Sequence, residues 1–123
     1  MSERLALVLA AVNGFIAVAA GAFGAHGLRS RVTPELLAAF ETGARYHMFH
    51  ALALFGVAWM VGRGMERAGL GGWLLLGGML LFSGSLYLMA LSGVRALGTV
   101  TPIGGVLLLS GWGILVWAAL SKS

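Results

Sequence analysis

The sequence predicts an all-α fold, a bundle of four transmembrane helices whose second helix carries an interfacial, amphipathic N-terminal part. The chain has 123 residues, of which 59% are hydrophobic and 10% charged, with a mean hydropathy of +0.94. A soluble domain carries about 25% charged residues. Charged residues also bound four uncharged runs, residues 5–28, 46–62, 68–94 and 96–121. Each approaches or exceeds the roughly 20 residues that cross a bilayer, and in lipid such runs are helices.

The first span is expected over residues 5–25. Asn13 is its one strongly polar residue at mid-depth, and we expect it to hydrogen-bond to a neighbouring helix. Rows of small residues at four-residue spacing let another helix approach closely. One row holds Ala17, Gly21 and Ala25, and another holds Ala20 and Gly24.

The second helix is predicted to begin at Thr33-Pro34-Glu35, with threonine as N-cap, proline in the first turn and glutamate at the positive end of the helix dipole. A helix over residues 34–61 would be roughly 42 Å long at 1.5 Å per residue, and the hydrocarbon core is only about 30 Å thick. We therefore expect its membrane span over residues 44–62. The preceding turns would lie at the interface, where Glu41 and Arg45 are expected to form an i,i+4 ion pair.

The third span is expected over residues 70–92 and the fourth over residues 101–120, completing a single domain that covers residues 1–123. Thr101-Pro102 is predicted to start the fourth span, again as an N-cap followed by proline. Gly104 and Gly105 keep the first turns of that helix slim, as close helix contact requires.

Composition argues against most enzyme classes. The chain has no cysteine, which removes disulfides, thiolate metal sites and thiol nucleophiles. It has no phosphate-binding loop or dinucleotide fingerprint, and Ser83, Ser85 and Ser110 have no adjacent base. The net charge of +4 comes without a basic patch interleaved with aromatic residues, so no nucleic-acid partner is expected. We therefore expect a protein that is not an enzyme, with no catalytic residue, cofactor or metal.

Four spans place both termini on one side of the membrane. Four basic residues lie on that side and four on the other, so the positive-inside count is tied. The first group is Arg4, Arg63, Arg67 and Lys122, and the second is Arg29, Arg31, Arg45 and Arg95. Since Arg45 belongs to a helix and pairs with Glu41, we favour cytoplasmic termini.

Helical rise places most polar side chains in the leaflet opposite the termini. The polar cluster predicted there consists of His26, Tyr46, His50, Ser83, Ser85 and Tyr87, with His47 flanking the inward face of its helix. The simplest interpretation is that the histidines are neutral and hydrogen-bonded to tyrosine, serine or backbone carbonyl groups. Three imidazoles would also suit zinc or copper, and two would suit haem, although no carboxylate joins them.

Four motifs follow one another along nearly the whole chain. They are Gly21-Ala22-Phe23-Gly24-Ala25-His26, Tyr46-x-x-x-His50-Ala51-Leu52-Ala53, Phe82-Ser83-Gly84-Ser85-Leu86-Tyr87 and Thr101-Pro102-x-Gly104-Gly105. Together they resemble the small bacterial inner-membrane family of unknown function typified by YgdD. The resemblance implies four spans, a location in the bacterial inner (plasma) membrane and cytoplasmic termini, but no activity. Relatives often carry glutamine where this chain has His47, so the resemblance implies no mechanism that needs that histidine.

Three functions stay open on the sequence alone. The first is a non-enzymatic membrane module, either a homo-oligomer or an accessory subunit of a larger membrane complex, whose glycine-lined helices supply contact surface. The second is a small permease or channel with the polar cluster lining a vestibule. The third is a metal or haem binder. In each case the lipid bilayer is the surrounding partner.

Overall fold

A computed structural model of the protein describes residues 1–121; Lys122, which entered the count of basic residues, and Ser123 lie outside the described residues. The chain forms four long α-helices: α1 (Glu3–Phe23), α2 (Pro34–Gly62), α3 (Ala68–Ser92) and α4 (Thr101–Leu120). A π-helical turn, Gly24–Leu28, extends α1, and a 3₁₀ helix, Arg95–Thr99, precedes α4. Residues 1–121 contain no strand, so the predicted all-α class is confirmed.

Local signals set most helix ends. The Ser2 hydroxyl accepts from the Leu5 amide at 3.1 Å and starts α1, and Thr33 does the same for α2, accepting from the Leu36 amide at 3.2 Å. These hydroxyls satisfy amides that have no partner inside the helix. Gly93 ends α3 in a left-handed conformation, with a φ of 75°, as glycine often does after a helix.

The start of α4 differs from the expectation. The helix does begin at Thr101 with Pro102 in its first turn, but the capping position is held by Val100, and no side chain caps the helix. Val100 already has a right-handed helical conformation because the 3₁₀ helix leads directly into α4. An N-cap needs extended backbone, so the Thr101 hydroxyl is left free for another contact.

The helices run antiparallel and pack in chain order, α1 on α2, α2 on α3 and α3 on α4. At one end of the bundle, here called the terminal end, the Arg67 guanidinium carbon lies 4.4 Å from the centre of the Trp117 ring. A Cβ atom on Gly69 would lie 2.9 Å from the Met1 nitrogen. The start of α1, the turn between α2 and α3 and the end of α4 therefore share this end.

The opposite end, here called the far end, carries the loop after α1 and the 3₁₀ helix before α4. The one ion pair within residues 1–121 lies here, with 3.6 Å between Arg95 Nη1 and Glu35 Oε2. The expected pair between Glu41 and Arg45 is therefore not formed, which corrects the prediction. Both of these side chains are exposed on α2, where solvation competes with a weak surface ion pair.

Within residues 1–121, three helical segments are long and apolar enough to cross a membrane: Glu3–Leu28, Ala68–Ser92 and Arg95–Leu120. Helix α2 is less hydrophobic because its central part carries Arg45, Tyr46, His47 and His50. Its length and its antiparallel packing between α1 and α3 still fit a fourth span. The least hydrophobic helix is thus one with a protein neighbour on either side, where polar side chains find partners.

Small residues bring the helices together at two crossings. A Cβ atom on Gly104 would collide with the backbone of Phe82, so α4 touches α3 at this level. A Cβ atom on Gly24 would lie 3.0 Å from the Phe40 ring of α2. Gly21, by contrast, has nothing within 4 Å of such an atom. Of these two glycines, both expected to support helix contact, Gly24 is therefore used inside the chain and Gly21 is not.

Candidate functional site

A chain of hydrogen bonds crosses three helices through His47. On one side, His47 Nε2 lies 2.8 Å from Asn13 Oδ1 of α1. On the other, His47 Nδ1 lies 2.9 Å from the Tyr87 hydroxyl of α3. The Asn13 amide nitrogen then donates to the Leu9 carbonyl oxygen at 2.8 Å. We call this the Asn13–His47–Tyr87 network.

The partners of His47 assign its tautomer. The amide oxygen of Asn13 can only accept, so Nε2 of His47 carries the proton and donates it. Burial disfavours a charged imidazole, so we assign the neutral form, in which Nδ1 accepts from the Tyr87 hydroxyl. His47 and Asn13 are each 5% exposed, and a buried polar group without a partner is costly. Each nitrogen of His47 has its partner, so the network holds together α1, α2 and α3.

Gly43 lets α2 approach α3 closely enough for this network to form. A Cβ atom on Gly43 would lie 3.2 Å from Leu86 Cβ, so a larger residue would push the helices apart. The Ser83 hydroxyl donates to the Gly43 carbonyl oxygen at 2.7 Å. His47 follows Gly43 by four residues and therefore lies on the same helix face, one turn further into the membrane.

His50 makes a separate contact, with α4. The Trp112 indole N–H donates to His50 Nε2 at 3.0 Å, and the two rings meet edge to face with centroids 5.9 Å apart. His50 Nδ1 lies 2.7 Å from the Tyr46 carbonyl oxygen, which can only accept. His50 is therefore neutral with its proton on Nδ1, the tautomer opposite to that of His47.

A groove of about 750 Å³ opens between α2, α3 and α4 beside this pair. We call it the Trp112 groove. Its walls are mainly apolar and rich in aromatic rings, including Tyr46, Phe49, Phe82 and Trp112. The Tyr46 and Phe82 rings are 4.7 Å apart between centroids. The buried imidazole of His50 also lines the groove, so a polar pair borders an otherwise apolar space.

The six residues predicted to form one polar cluster are divided among different contacts. Tyr46 and His50 line the Trp112 groove, and Tyr87 belongs to the Asn13–His47–Tyr87 network. Ser85 Oγ lies 2.6 Å from the Thr101 hydroxyl, which is the contact that this hydroxyl makes instead of capping α4. No single cavity lined by all six residues forms in the described chain.

Two placements correct the predictions more directly. His26 lies in the π-helical turn and is exposed, so it does not join His50. His47, expected only to flank the inward face, is instead buried between α1 and α3. A signal for this was present, because His47 and His50 fall on the three- and four-residue spacing of the buried face that includes Gly43, Leu54 and Val57.

The side chains that could coordinate a metal ion are neither grouped nor free to do so in the described residues. Within residues 1–121 no group of three His, Cys, Asp or Glu side chains is placed to hold one. Both ring nitrogens of His47 and both of His50 are engaged by protein groups. A metal would have to displace these hydrogen bonds, since a histidine ligand binds through a free ring nitrogen.

Comparison with known proteins identifies similar chains. A family model described as "Protein of unknown function (DUF423)" matches residues 20–105. The UPF0382 membrane protein YwdK of Bacillus subtilis is 41% identical over 118 residues, which cover 94% of this chain and 96% of the relative. A UPF0382 membrane protein of Staphylococcus epidermidis is 43% identical over 117 residues, covering 95% and 96%. No solved structure matches the chain.

Proposed function

Because the chain belongs to the DUF423 family of unknown function, and is a multi-pass membrane protein like its bacterial UPF0382 relatives, we propose that it is a non-enzymatic membrane module. It acts through helix contacts inside the bilayer, as a homo-oligomer or as an accessory subunit of a larger membrane complex. We place it in the inner membrane with cytoplasmic termini. The family resemblance indicated by the four sequence motifs is confirmed.

The observation that carries this proposal is the complete pairing of the buried polar groups. Within residues 1–121, no buried side-chain nitrogen or oxygen lacks a hydrogen-bond partner. A general base needs a free lone pair that a substrate proton can reach. The ring-nitrogen lone pairs of His47 and His50 instead accept hydrogen bonds from Tyr87 and Trp112. These contacts join different helices. They support a role in holding the bundle together rather than in chemistry.

The arrangement of the helices supplies the contact surface. Helix α1 packs mainly against α2, and only 22% of its most apolar part is buried, against 39% for α3. One flank of its exposed side, here called the outer α1 face, carries mostly small residues at three- and four-residue spacing: Ala11, Gly14, Val18, Gly21 and, in the π-helical turn, Ala25. Larger side chains such as Phe15, which is 78% exposed, lie on the rest of that side. A Cβ atom on Gly14 or Gly21 would meet nothing within 4 Å. Small residues on an exposed face let a second helix approach closely in lipid.

The permease alternative has less support. Its vestibule needs the predicted polar residues around one space, whereas the two serines and Tyr87 donate into contacts between or within helices. Only Tyr46 and His50 of the six line the Trp112 groove. We therefore do not propose transport.

Cysteine crosslinking in native membranes tests the proposed module. The natural chain has no cysteine, so Gly14→Cys and Gly21→Cys each introduce one thiol on the outer α1 face. Gly113→Cys on α4, which also has open space around it, is the matched control. We expect oxidation to link the α1 variants to a second copy or to another membrane protein, and the control to stay unlinked. A monomer by native mass spectrometry, with no crosslink from either α1 position, contradicts the proposal.

A further inference from the structure

The Trp112 groove has the size and lining of a ligand site. Its volume of about 750 Å³ lies within the roughly 300–1,000 Å³ range of small-molecule pockets. Gly105 of α4 helps to keep it open, since the nearest side-chain atom to a Cβ placed there would be on the Phe82 ring at 3.9 Å. No side chain of residues 1–121 fills this space. Its aromatic walls favour a flat ring over a flexible chain, because aromatic pairs stack at defined geometries.

The polar atoms that line the groove further limit the kind of ligand that it could bind. No charged residue among residues 1–121 lines it, so a phosphate or carboxylate headgroup would find no counter-charge from this part of the chain. The Tyr46 side chain is 39% exposed, and its hydroxyl has no partner among the hydrogen bonds of residues 1–121. It can donate to a ligand oxygen. The complementary ligand is therefore neutral, ring-shaped and able to accept a hydrogen bond.

The groove also has a defined depth. It runs along α4 from Pro102, at the far end, to Trp112, ten residues or about 15 Å further into the membrane at 1.5 Å per residue. It is bordered by exposed apolar side chains such as Phe49 and Leu109, which are 54% and 74% exposed. A ligand would therefore enter sideways from the lipid, and an apolar tail would remain among the acyl chains.

We propose that the Trp112 groove binds the ring of a membrane-dissolved isoprenoid quinone, with Tyr46 donating to a ring carbonyl and the aromatic walls stacking on the ring. A quinone is neutral, carries acceptor oxygens and an apolar tail, and so meets each requirement above. An acyl chain offers no group for Tyr46. This assigns a ligand site that the helix-contact function does not need.

The test uses the full-length protein in lipid nanodiscs with decylubiquinone as the probe, read by quenching of tryptophan fluorescence. Binding at a site saturates, whereas partitioning into the bilayer gives quenching that rises linearly. Gly105→Leu fills the groove and should weaken binding by about tenfold or more, since the ring loses its space. Gly113→Leu lies on the same helix where a Cβ meets nothing and should leave binding unchanged. Val106→Phe, at a 61% exposed lining position, is a second filling variant.

Removal of the Tyr46 hydroxyl distinguishes a ring held by a hydrogen bond from an apolar ligand held only by packing. Tyr46→Phe should weaken binding by about threefold to tenfold, as loss of one hydrogen bond does. Non-saturable quenching in the natural protein, or equal binding by both filling variants, overturns the proposal. So does native mass spectrometry showing a phospholipid that Gly105→Leu loses and decylubiquinone does not displace. Crosslinking of Gly21→Cys is measured in a separate experiment, so the helix-contact proposal and the quinone proposal can each fail without the other.

Discussion

The imidazole of His47 in α2 donates its Nε2 proton to Asn13 of α1 across 2.8 Å, and so joins helices whose contact in lipid gains nothing from the hydrophobic effect. Helix association inside a bilayer depends on close packing and on interhelical hydrogen bonds. The same imidazole accepts from Tyr87 of α3. One side chain therefore links three of the four helices, and its hydrogen-bonding capacity is fully used.

Replacement of His47 by glutamine should be tolerated, and replacement by leucine should not. Glutamine supplies an N–H donor for Asn13 and an oxygen acceptor for Tyr87. Leucine leaves both partners unpaired, and we expect the free energy of unfolding to fall by about 1–3 kcal/mol. Unfolding of His47→Gln and His47→Leu by denaturing detergent in mixed micelles measures the difference. Equal stability of the two variants would show that the network does not hold the bundle.

The Trp112 indole N–H should stabilise the contact between α2 and α4. Trp112→Phe keeps a ring but removes the donor to His50, at an expected cost of about 0.5–1.5 kcal/mol in unfolding free energy. Trp117→Phe is the control, because Trp117 contacts Arg67 at the terminal end and not a buried imidazole. A double-mutant cycle with His50→Phe isolates the pair. A coupling energy of zero would mean that the bond does not contribute to stability.

Two adjacent glycines of α4 should respond in opposite ways to alanine. The Cβ of Gly104→Ala would lie 2.8 Å from the Phe82 Cα atom, and such overpacking costs about 1–3 kcal/mol. The Cβ of Gly105→Ala would have its nearest neighbour at 3.9 Å. Alanine also favours the helix by about 1 kcal/mol over glycine, so this variant should be as stable as the natural protein or more so. Thermal unfolding of the two variants in detergent compares them, and similar losses in both would contradict the close crossing of α3 and α4 at Gly104.

The helices themselves could be predicted because their signals are local. Runs of uncharged residues and the pairs Thr33-Pro34 and Thr101-Pro102 located the spans to within a few residues of the observed α1, α3 and α4. The sequence also predicts the second helix from Pro34 almost to its observed end at Gly62. The uncharged runs reflect the lipid that surrounds the helices, and the Thr-Pro pairs reflect the backbone conformation at each helix start. They require no knowledge of how the helices pack.

The partners of the polar side chains could not be predicted in the same way. Helix α2 has protein on two sides, so its buried face is wide, and a helical wheel cannot say which neighbour a given residue meets. The spacing of His47 from Gly43 and His50 indicates that it is buried, but it does not indicate that its partners are Asn13 and Tyr87. His26 was misplaced because a π-helical turn adds a residue per turn and shifts the direction of the side chains that follow Phe23.

The membrane crossing of α2 is the remaining prediction of the four-span fold, and it can be tested with single cysteines in the otherwise cysteine-free chain. Ser30 precedes α2, Glu66 follows it and Ala96 lies in the 3₁₀ helix before α4; all three are exposed.

With cytoplasmic termini, an impermeant maleimide applied to spheroplasts should label Ser30→Cys and Ala96→Cys. Glu66→Cys should react only after the membrane is permeabilised. An α2 that crosses separates Ser30 from Glu66, as a helix of 29 residues and roughly 43 Å at 1.5 Å per residue can do. Labelling of both positions from the same side would mean that α2 lies along the interface, and that only three helices cross the bilayer.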